Sequence, residues 1–108
     1  RLKEPDFTYF IYLVEDDETR LLRGTISLRD FVMAEDEQRL EEIMNPYAST
    51  LDPLEPAGVA SYRVLNSHMA ALPVVGREGQ LLGIVTVDAA VKRVAPPSWG
   101  AQAPKIFS

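Results

Sequence analysis

One pattern of residues occurs twice in the sequence. In its first occurrence, an apolar run at residues 9–14 is followed by a polar turn and by a second apolar run at residues 21–32. The same order returns at residues 70–75 and 81–91. An internal repeat constrains a fold more than local propensities do, because both copies have to form the same structural unit. The chain is therefore expected to contain two related units.

Each copy predicts a β-hairpin that leads directly into a helix. The apolar runs are short, and acidic or glycine-containing turns bound them, which is typical of hairpin strands. The alignment pairs Gly24 with Gly83 and Ser27 with Thr86. Serine and threonine are preferred at the N-cap of a helix, and apolar residues follow both of them at helical spacing. The predicted fold class is α/β, more narrowly α+β, in a tandem arrangement.

The second copy is longer than the first. Residues 47–51 predict a short strand and residues 56–66 predict a helix, so the second copy has the order β-α-β-β-α. Only residues 1–8 precede the first hairpin, and the first copy is expected to be truncated at its start. The residues expected near the buried side of the predicted helix are Val59, Tyr62, Arg63 and Leu65.

Between the two copies, Leu40, Ile43 and Met44 have the i, i+3, i+4 spacing of an amphipathic helix. This spacing predicts a linker helix. The expected division of the chain is a first repeat at 1–36, the linker helix at 37–46, a second repeat at 47–95 and a connecting segment at 96–108.

The composition excludes several classes of function. Without cysteine the chain has no disulfide, no thiol nucleophile and no cysteine-based zinc site, and His68 is its only histidine. The net charge is −5, with twelve acidic and six basic side chains in residues 1–42. Nucleic acid, which requires a basic face, is not an expected partner. The sequence has no nucleophile–base pair and no glycine-rich phosphate loop, so an enzyme is not expected.

The wording of the motifs is similar to that of a known family. The segments Leu72-Pro73-Val74-Val75 and Gly83-Ile84-Val85-Thr86, together with the repeated β-α-β-β-α unit, resemble the CBS domain pair. The segments Ile26–Asp30 and Leu40–Pro46 make the cytosolic CBS region of MgtE-type magnesium transporters the most similar member. The resemblance covers nearly the whole chain.

This resemblance implies a regulatory module that forms a homodimer, senses intracellular Mg²⁺ and gates ion transport. It places the chain in the cytoplasmic part of a cell-membrane protein, between an N-terminal helical domain and a C-terminal transmembrane domain. Residues 96–108 would lead toward the membrane, and the sequence is interpreted as a domain excised from a longer protein. Apolar helix faces around Phe31, Val32, Val91 and Val94 also favour a homodimer, because 108 residues do not easily cover them.

The resemblance also implies an adenine-nucleotide site, for ATP or AMP, in the cleft between the hairpins. In the family a Ser or Thr and an Asp three residues later hold phosphate and ribose. The first copy has both, as Ser27 and Asp30, whereas the second has Thr86 followed by Ala89. The residues predicted to bind nucleotide are Ser27, Asp30, Leu72, Pro73, Thr86 and Asp88.

Carboxylates are the candidate ligands for Mg²⁺, a hard cation that prefers oxygen. Family members typically carry an Asp-Asp pair at the start of the last helix and acidic residues after it. Here the pair is Asp88-Ala89, and the acidic charge lies mainly in the first repeat. The predicted metal residues are Glu35, Asp36, Glu37, Glu55 and Asp88.

Two other functions fit the same residues. Ser27 and Asp30 are also compatible with an adenine-nucleotide sensor in a different host protein. A dimerisation module that binds no ligand is the third possibility, because Ser27 and Thr86 would be present as helix caps in any case.

Overall fold

A computed structural model of the chain describes residues 9–95, and within this range the two predicted hairpin–helix units are present. The elements are β1 (Phe10–Val14), β2 (Leu22–Ser27), α1 (Leu28–Met33), α2 (Leu40–Ile43), α3 (Ala57–Asn66), β3 (Ala71–Val75), β4 (Leu81–Thr86) and α4 (Val87–Val94). The predicted mixed α/β fold class is confirmed.

The two hairpins have the same internal register. β1 and β2 pair antiparallel with Tyr12 opposite Thr25, and β3 and β4 pair antiparallel with Pro73 opposite Ile84. In both hairpins the pairing register shifts directly after the residue opposite the aligned glycine. The shift follows Leu13, opposite Gly24, in the first hairpin and Val74, opposite Gly83, in the second. The repeat seen in the sequence is therefore also a repeat in three dimensions.

Both strand-to-helix junctions are capped as the sequence predicts. The Ser27 hydroxyl accepts a hydrogen bond from the N–H of Asp30 at 3.0 Å, and the Thr86 hydroxyl accepts one from the N–H of Ala89 at 3.1 Å. Each bond satisfies a backbone donor that the first turn of a helix would otherwise leave free.

The main core lies in the second repeat. Leu51, Val64, Leu72 and Ala90 are at most 2% exposed and form one cluster that joins α3, α4 and β3. Burial of a large apolar side chain, such as Leu51, Val64 or Leu72, stabilises the fold by about 1.5–3 kcal/mol. The first repeat has less of its apolar surface covered, since Leu28, Phe31 and Val32 on α1 all remain exposed.

The buried face of α3 differs from the one that the sequence predicted. Ser61 and Val64 are the buried residues of α3, whereas Val59 and Tyr62 are 50% and 60% exposed. Ser61 is small and donates its hydroxyl hydrogen to the carbonyl of Ala57 at 2.8 Å, so it can face α4 without an unsatisfied polar group. A hydropathy pattern counts such a serine as polar. The prediction was therefore wrong for Val59, Tyr62 and Arg63, whereas Leu65 is partly buried against the core as expected.

The predicted strand at 47–51 is reduced to a single bridge. Leu51 pairs in parallel with Val74: its N–H donates to the carbonyl of Pro73 at 2.8 Å, and its carbonyl accepts from Val75 at 2.9 Å. The linker helix is shorter than the predicted 37–46, because Met44 is extended and Asn45 exchanges two hydrogen bonds with Thr25, of 3.0 and 2.7 Å.

The hairpins meet at their turns. The N–H of Leu22 donates to the carbonyl of Gly79 at 2.9 Å, and the N–H of Leu81 donates to that of Arg20 at 2.7 Å. Across residues 9–95 none of the helices is long and apolar enough to cross a membrane. The connecting segment predicted at 96–108 lies outside the described residues, as do residues 1–8.

Candidate functional site

A cleft of about 310 Å³ opens between the two repeats. It lies where β1, β3 and the junction of β4 with α4 come together, so both repeats contribute to its walls. The hydroxyl of Tyr12 reaches across and donates to the carbonyl of Ala71 at 3.4 Å. The residues lining the cleft are Tyr9, Phe10, Tyr12, Ala70, Ala71, Ile84, Thr86, Val87 and Asp88.

Asp88 is the ionisable acid in the cleft wall. One carboxylate oxygen, Oδ2, is 3.4 Å from Lys92 Nζ, one turn further along α4. The other oxygen, Oδ1, is buried and has no hydrogen-bond partner among the described residues. A buried acceptor without a partner is unfavourable, and the Asp88 side chain is 37% exposed, so a ligand in the cleft can reach it. The arrangement therefore suits a ligand that donates a hydrogen bond, such as a hydroxyl or amino group.

Aromatic rings and a helix terminus form the rest of the site. Tyr9 and Phe10 supply faces on which a planar ligand can stack. Burial raises the pKa of Tyr12 above its ordinary value, so its hydroxyl stays protonated and remains a donor. Thr86 caps α4 at the cleft, which places the positive end of the helix dipole there. A planar molecule that carries hydrogen-bond donors fits these features.

The structure brings together only part of the predicted nucleotide set. Thr86 and Asp88 both line the cleft, whereas Ser27 and Asp30 do not. Ser27 is half-buried as the cap of α1, and Asp30 is exposed on that helix. Leu72 and Pro73 are both buried within the second repeat. Leu72 belongs to its core cluster, and the carbonyl of Pro73 accepts a hydrogen bond from the N–H of Leu51.

Sequence reasoning missed the aromatic wall. Tyr9, Phe10 and Tyr12 were counted only as strand residues. Three aromatic side chains within four positions were the available signal, since ligand pockets are lined predominantly by hydrophobic and aromatic side chains.

The predicted metal residues are not gathered at one place. Glu35, Asp36 and Glu37 are exposed, and the backbone N–H of Glu35 donates to the side-chain oxygen of Gln38 at 2.9 Å. In the segment from 9 to 95, no three side chains of Asp, Glu or His are grouped closely enough to hold a metal ion. These residues therefore do not form a chelating site by themselves.

Glu55, another predicted metal residue, is engaged within its own repeat. Its carboxylate accepts from the backbone N–H of Asp52 at 2.9 Å and forms an ion pair with Arg63, which also donates to the carbonyl of Thr50. The hydrogen bond from Asp52, and after it the one from Arg63, lower the pKa of Glu55 below its ordinary value of 4.5. Glu55 thus fixes the loop before α3.

The ion pair between Glu55 and Arg63 predicts that the protein loses stability in acid. A carboxyl group with a lowered pKa in the folded state stabilises the protein above its ordinary pKa of 4.5, and the contribution disappears as the pH falls through the lowered value. Below pH 4.5, we expect the melting temperature of Glu55→Gln to decrease by less than that of the unchanged chain. An Asp17→Asn variant, at an exposed carboxylate, is the control. Equal acid sensitivity of Glu55→Gln and the unchanged chain would contradict the assignment.

The acidic turn of the first hairpin, Glu15–Glu18, is locally satisfied. One oxygen of Asp16 accepts from the N–H groups of Glu18 and Thr19 at 2.9 and 2.7 Å. These bonds, those of Thr19 above all, lower the pKa of Asp16. Glu15 pairs with Arg23 at 3.2 Å. Contacts within the hairpin therefore account for the acidic side chains of Glu15 and Asp16 in this turn.

Comparison with known proteins supports the interpretation of the repeats. A family model described as "CBS domain" matches residues 40–96. The magnesium transporter MgtE of Thermus thermophilus is 40% identical over 80 residues, and MgtE of Bacillus subtilis is 31% identical over 77 residues. These matches cover 74% and 71% of the chain but only 17% of each relative. The chain therefore corresponds to a small part of such a transporter.

A solved structure is similar in both fold and sequence. It is the cytosolic domain of the Mg²⁺ channel MgtE in complex with ATP, with a TM-score of 0.70 and 37% identity. The alignment covers 80% of the chain and 34% of that structure.

Proposed function

Because the chain belongs to the CBS domain family, we propose that it is the cytosolic regulatory module of a magnesium transporter, one that senses intracellular Mg²⁺ and gates ion transport. The observation that carries this proposal is the 40% identity to a magnesium transporter over 74% of the chain. The module regulates and does not catalyse, and the transporting part of the protein would lie in other segments of a longer polypeptide.

The structure limits how Mg²⁺ acts. No three acidic side chains within residues 9–95 form a group that could hold the ion. Mg²⁺ keeps several of its waters and is usually bound through only one or two carboxylates. We therefore assign Glu35, Asp36 and Glu37 to a surface that shares Mg²⁺ with carboxylates of a neighbouring domain, with Glu55 kept in its ion pair.

The test uses the whole transporter in vesicles. We expect Glu35→Gln/Asp36→Asn/Glu37→Gln to raise the Mg²⁺ concentration that half-inhibits transport by about fivefold or more, the usual range of a coupling between sites. The matched control is Asp17→Asn/Glu18→Gln, which removes exposed charge from the turn of the first hairpin. Equal inhibition of the triple variant and the unchanged transporter would contradict the shared site.

A second measurement locates the sensing. With the isolated chain, Mg²⁺ is expected to change the melting temperature no more than a sodium salt of matched ionic strength does, because exposed charges are only screened. A rise specific to Mg²⁺ would place a complete site inside the chain.

The cleft favours a second, compatible function, binding of an adenine nucleotide. Its support is the unpaired buried oxygen of Asp88 between aromatic walls and the similarity to a structure that contains ATP. The base would stack near Tyr9 and Phe10, and a ribose hydroxyl or the amino group of the base would donate to Asp88. Calorimetric titration with ATP, ADP and AMP tests this function, and the absence of heat with all three would refute it.

We also propose that the module is a homodimer. The outward face of α3 carries Val59 and Tyr62 with half or more of each side chain exposed, next to the exposed Leu54. Sedimentation of the isolated chain tests the dimer, and a single monomeric species at high concentration would refute it.

A further inference from the structure

Within residues 9–95 the chain forms two packed bodies. Residues 9–45 make up the first body, in which Asn45 is tied to Thr25 of β2 by two backbone hydrogen bonds. Residues 51–95 make up the second body, which contains the whole core cluster around Leu51 and the apolar residues packed against it. Thr25 and Ile26 are buried in the first body and lie outside that cluster. The core of one body therefore does not extend into the other.

The two bodies are firmly joined at one end, where the hairpin turns meet. The carbonyl of Gly79 accepts from Leu22 at 2.9 Å, and the carbonyl of Arg20 accepts from Leu81 at 2.7 Å. Both acceptor residues are in the left-handed region, Arg20 with a φ of 54° and Gly79 with a φ of 92°. This region is uncommon for residues other than glycine, so its use at equivalent positions of both hairpins marks a specific junction.

A weaker bond joins the bodies at the opposite end, in the cleft. The Tyr12 hydroxyl donates to the carbonyl of Ala71 at 3.4 Å, whereas O–H···O bonds are usually about 2.7–2.8 Å long. Among residues 9–95, no ion pair and no other hydrogen bond outside the turns connects the first body with the second. The junction is therefore strong at the turns and weak at the cleft.

The interface between the bodies is incompletely filled. Besides the cleft of about 310 Å³, a cavity of about 130 Å³ is lined by Leu22 and Gly24 of the first body and by Val75 and Gly79 of the second. Protein interiors are normally close-packed, with few voids larger than a water molecule. The connecting residues 46–50 also make no backbone–backbone hydrogen bond within the described range. Rotation of one body against the other therefore requires little repacking.

We propose that the two bodies form a hinge that turns about the bonds between the hairpin turns, with the hydroxyl of Tyr12 as the latch at its open end. The helices α1 and α4 begin at that end, directly after Ser27 and Thr86, so opening changes their separation most. A cleft ligand that takes the hydrogen bond of Tyr12 releases the latch and moves the two helices apart. Hinge motions of this kind occur in microseconds to milliseconds. The hinge does not depend on which ligand the cleft binds.

Spin labels on α1 and α4 measure the opening directly. The chain has no cysteine, so labels attach only at Arg29→Cys and Arg93→Cys, both at exposed positions. In Tyr12→Phe, we expect the fraction of molecules with a longer α1–α4 distance to rise about twofold to tenfold, as for the loss of one hydrogen bond. Hydrogen exchange of the Leu22 and Leu81 amides should stay unchanged, because the bonds between the turns remain.

Tyr47→Phe is the matched control. It removes the same hydroxyl from a tyrosine that is 90% exposed, and we expect it to leave the distance distribution unchanged. An α1–α4 distribution in Tyr12→Phe equal to that of the unchanged chain overturns the proposal. Longer distances accompanied by faster exchange at Leu22 and Leu81 also overturn it, because the bodies would then separate at the turns as well.

A measurement without the Tyr12 substitution keeps the proposal testable if Tyr12→Phe does not fold. Labels at Asp17→Cys and Arg77→Cys, both at exposed positions, span the two turns. We expect their distance distribution to be narrower than that of the α1–α4 pair, because the hinge lies at the turns. Equal widths for the two label pairs overturn the proposal.

Discussion

Replacing Asp88 by alanine is expected to weaken adenine-nucleotide binding at least tenfold without lowering the melting temperature. The free oxygen Oδ1 would lose its bond to the ligand, and a hydrogen bond to a charged group contributes about 1.5–3 kcal/mol, or a factor of ten or more in affinity. In the ligand-free protein, the substitution also removes a buried acceptor that has no partner among the described residues, which favours the variant. That gain offsets the loss of the ion pair with Lys92 and of an acid in the first turn of α4.

The control for this prediction is Lys92→Gln. It breaks the same ion pair but leaves the cleft wall intact, because Lys92 is exposed and does not line the cleft. Calorimetry should give the Lys92→Gln variant the affinity of the unchanged chain. Equal affinity of Asp88→Ala and the unchanged chain would show that the nucleotide, if bound, does not use this oxygen.

The second large effect is expected from Gly24→Ala. The new methyl group would lie 2.8 Å from the carbonyl oxygen of Asn45 and 2.9 Å from the sulfur of Met44. The methionine side chain can move, but the carbonyl belongs to the pairing between Asn45 and Thr25. We expect the free energy of unfolding to fall by about 1–3 kcal/mol, typical of overpacking, with a loss of about 4–8 °C in melting temperature for each kcal/mol.

Gly83→Ala provides the comparison at the aligned position. Its methyl group meets open space, and alanine restricts the unfolded chain more than glycine does, so the stability of the 108-residue chain should stay the same or rise slightly. Chemical denaturation of both variants measures the difference. Similar losses at Gly24 and Gly83 would contradict the contrast between a covered and an open strand edge.

Under the proposed function, the position of the cleft gives ligand binding a route to neighbouring domains. Tyr9, Phe10 and Tyr12 come from the first repeat, while Thr86 and Asp88 come from the second. A ligand that contacts both repeats more favourably in one relative arrangement shifts the population toward that arrangement. Regulation then requires only that the neighbouring domains bind the two arrangements with different affinity.

Much of the fold could be predicted from local sequence. The hairpins, the caps at Ser27 and Thr86, and the helices after them follow from short-range patterns that repeat at aligned positions. The failures were also local. The strand at 47–51 became one bridge at Leu51, and α3 turned Ser61 toward the core in place of Val59.

Less of the candidate site could be predicted, because a site depends on what the tertiary fold places side by side. The resemblance to the family identified Thr86 and Asp88, which do meet in the cleft. The distribution of acidic charge suggested Glu35, Asp36, Glu37 and Glu55 as metal residues, and the structure does not group them. Charge in a sequence gives no distance between carboxylates, and Glu55 has its partner, Arg63, eight residues further along the chain.

The sequence alone determined that the chain forms two copies of one hairpin–helix unit, because the strand, turn and capping patterns that form the unit act over a few residues and appear twice. The tertiary structure alone decided which surfaces of the two copies differ. Gly24 is covered and Gly83 is open, and Ala90 is buried while Phe31 is exposed. The reason is physical: coverage depends on segments distant in the chain, and no local pattern records which of them reach a given surface.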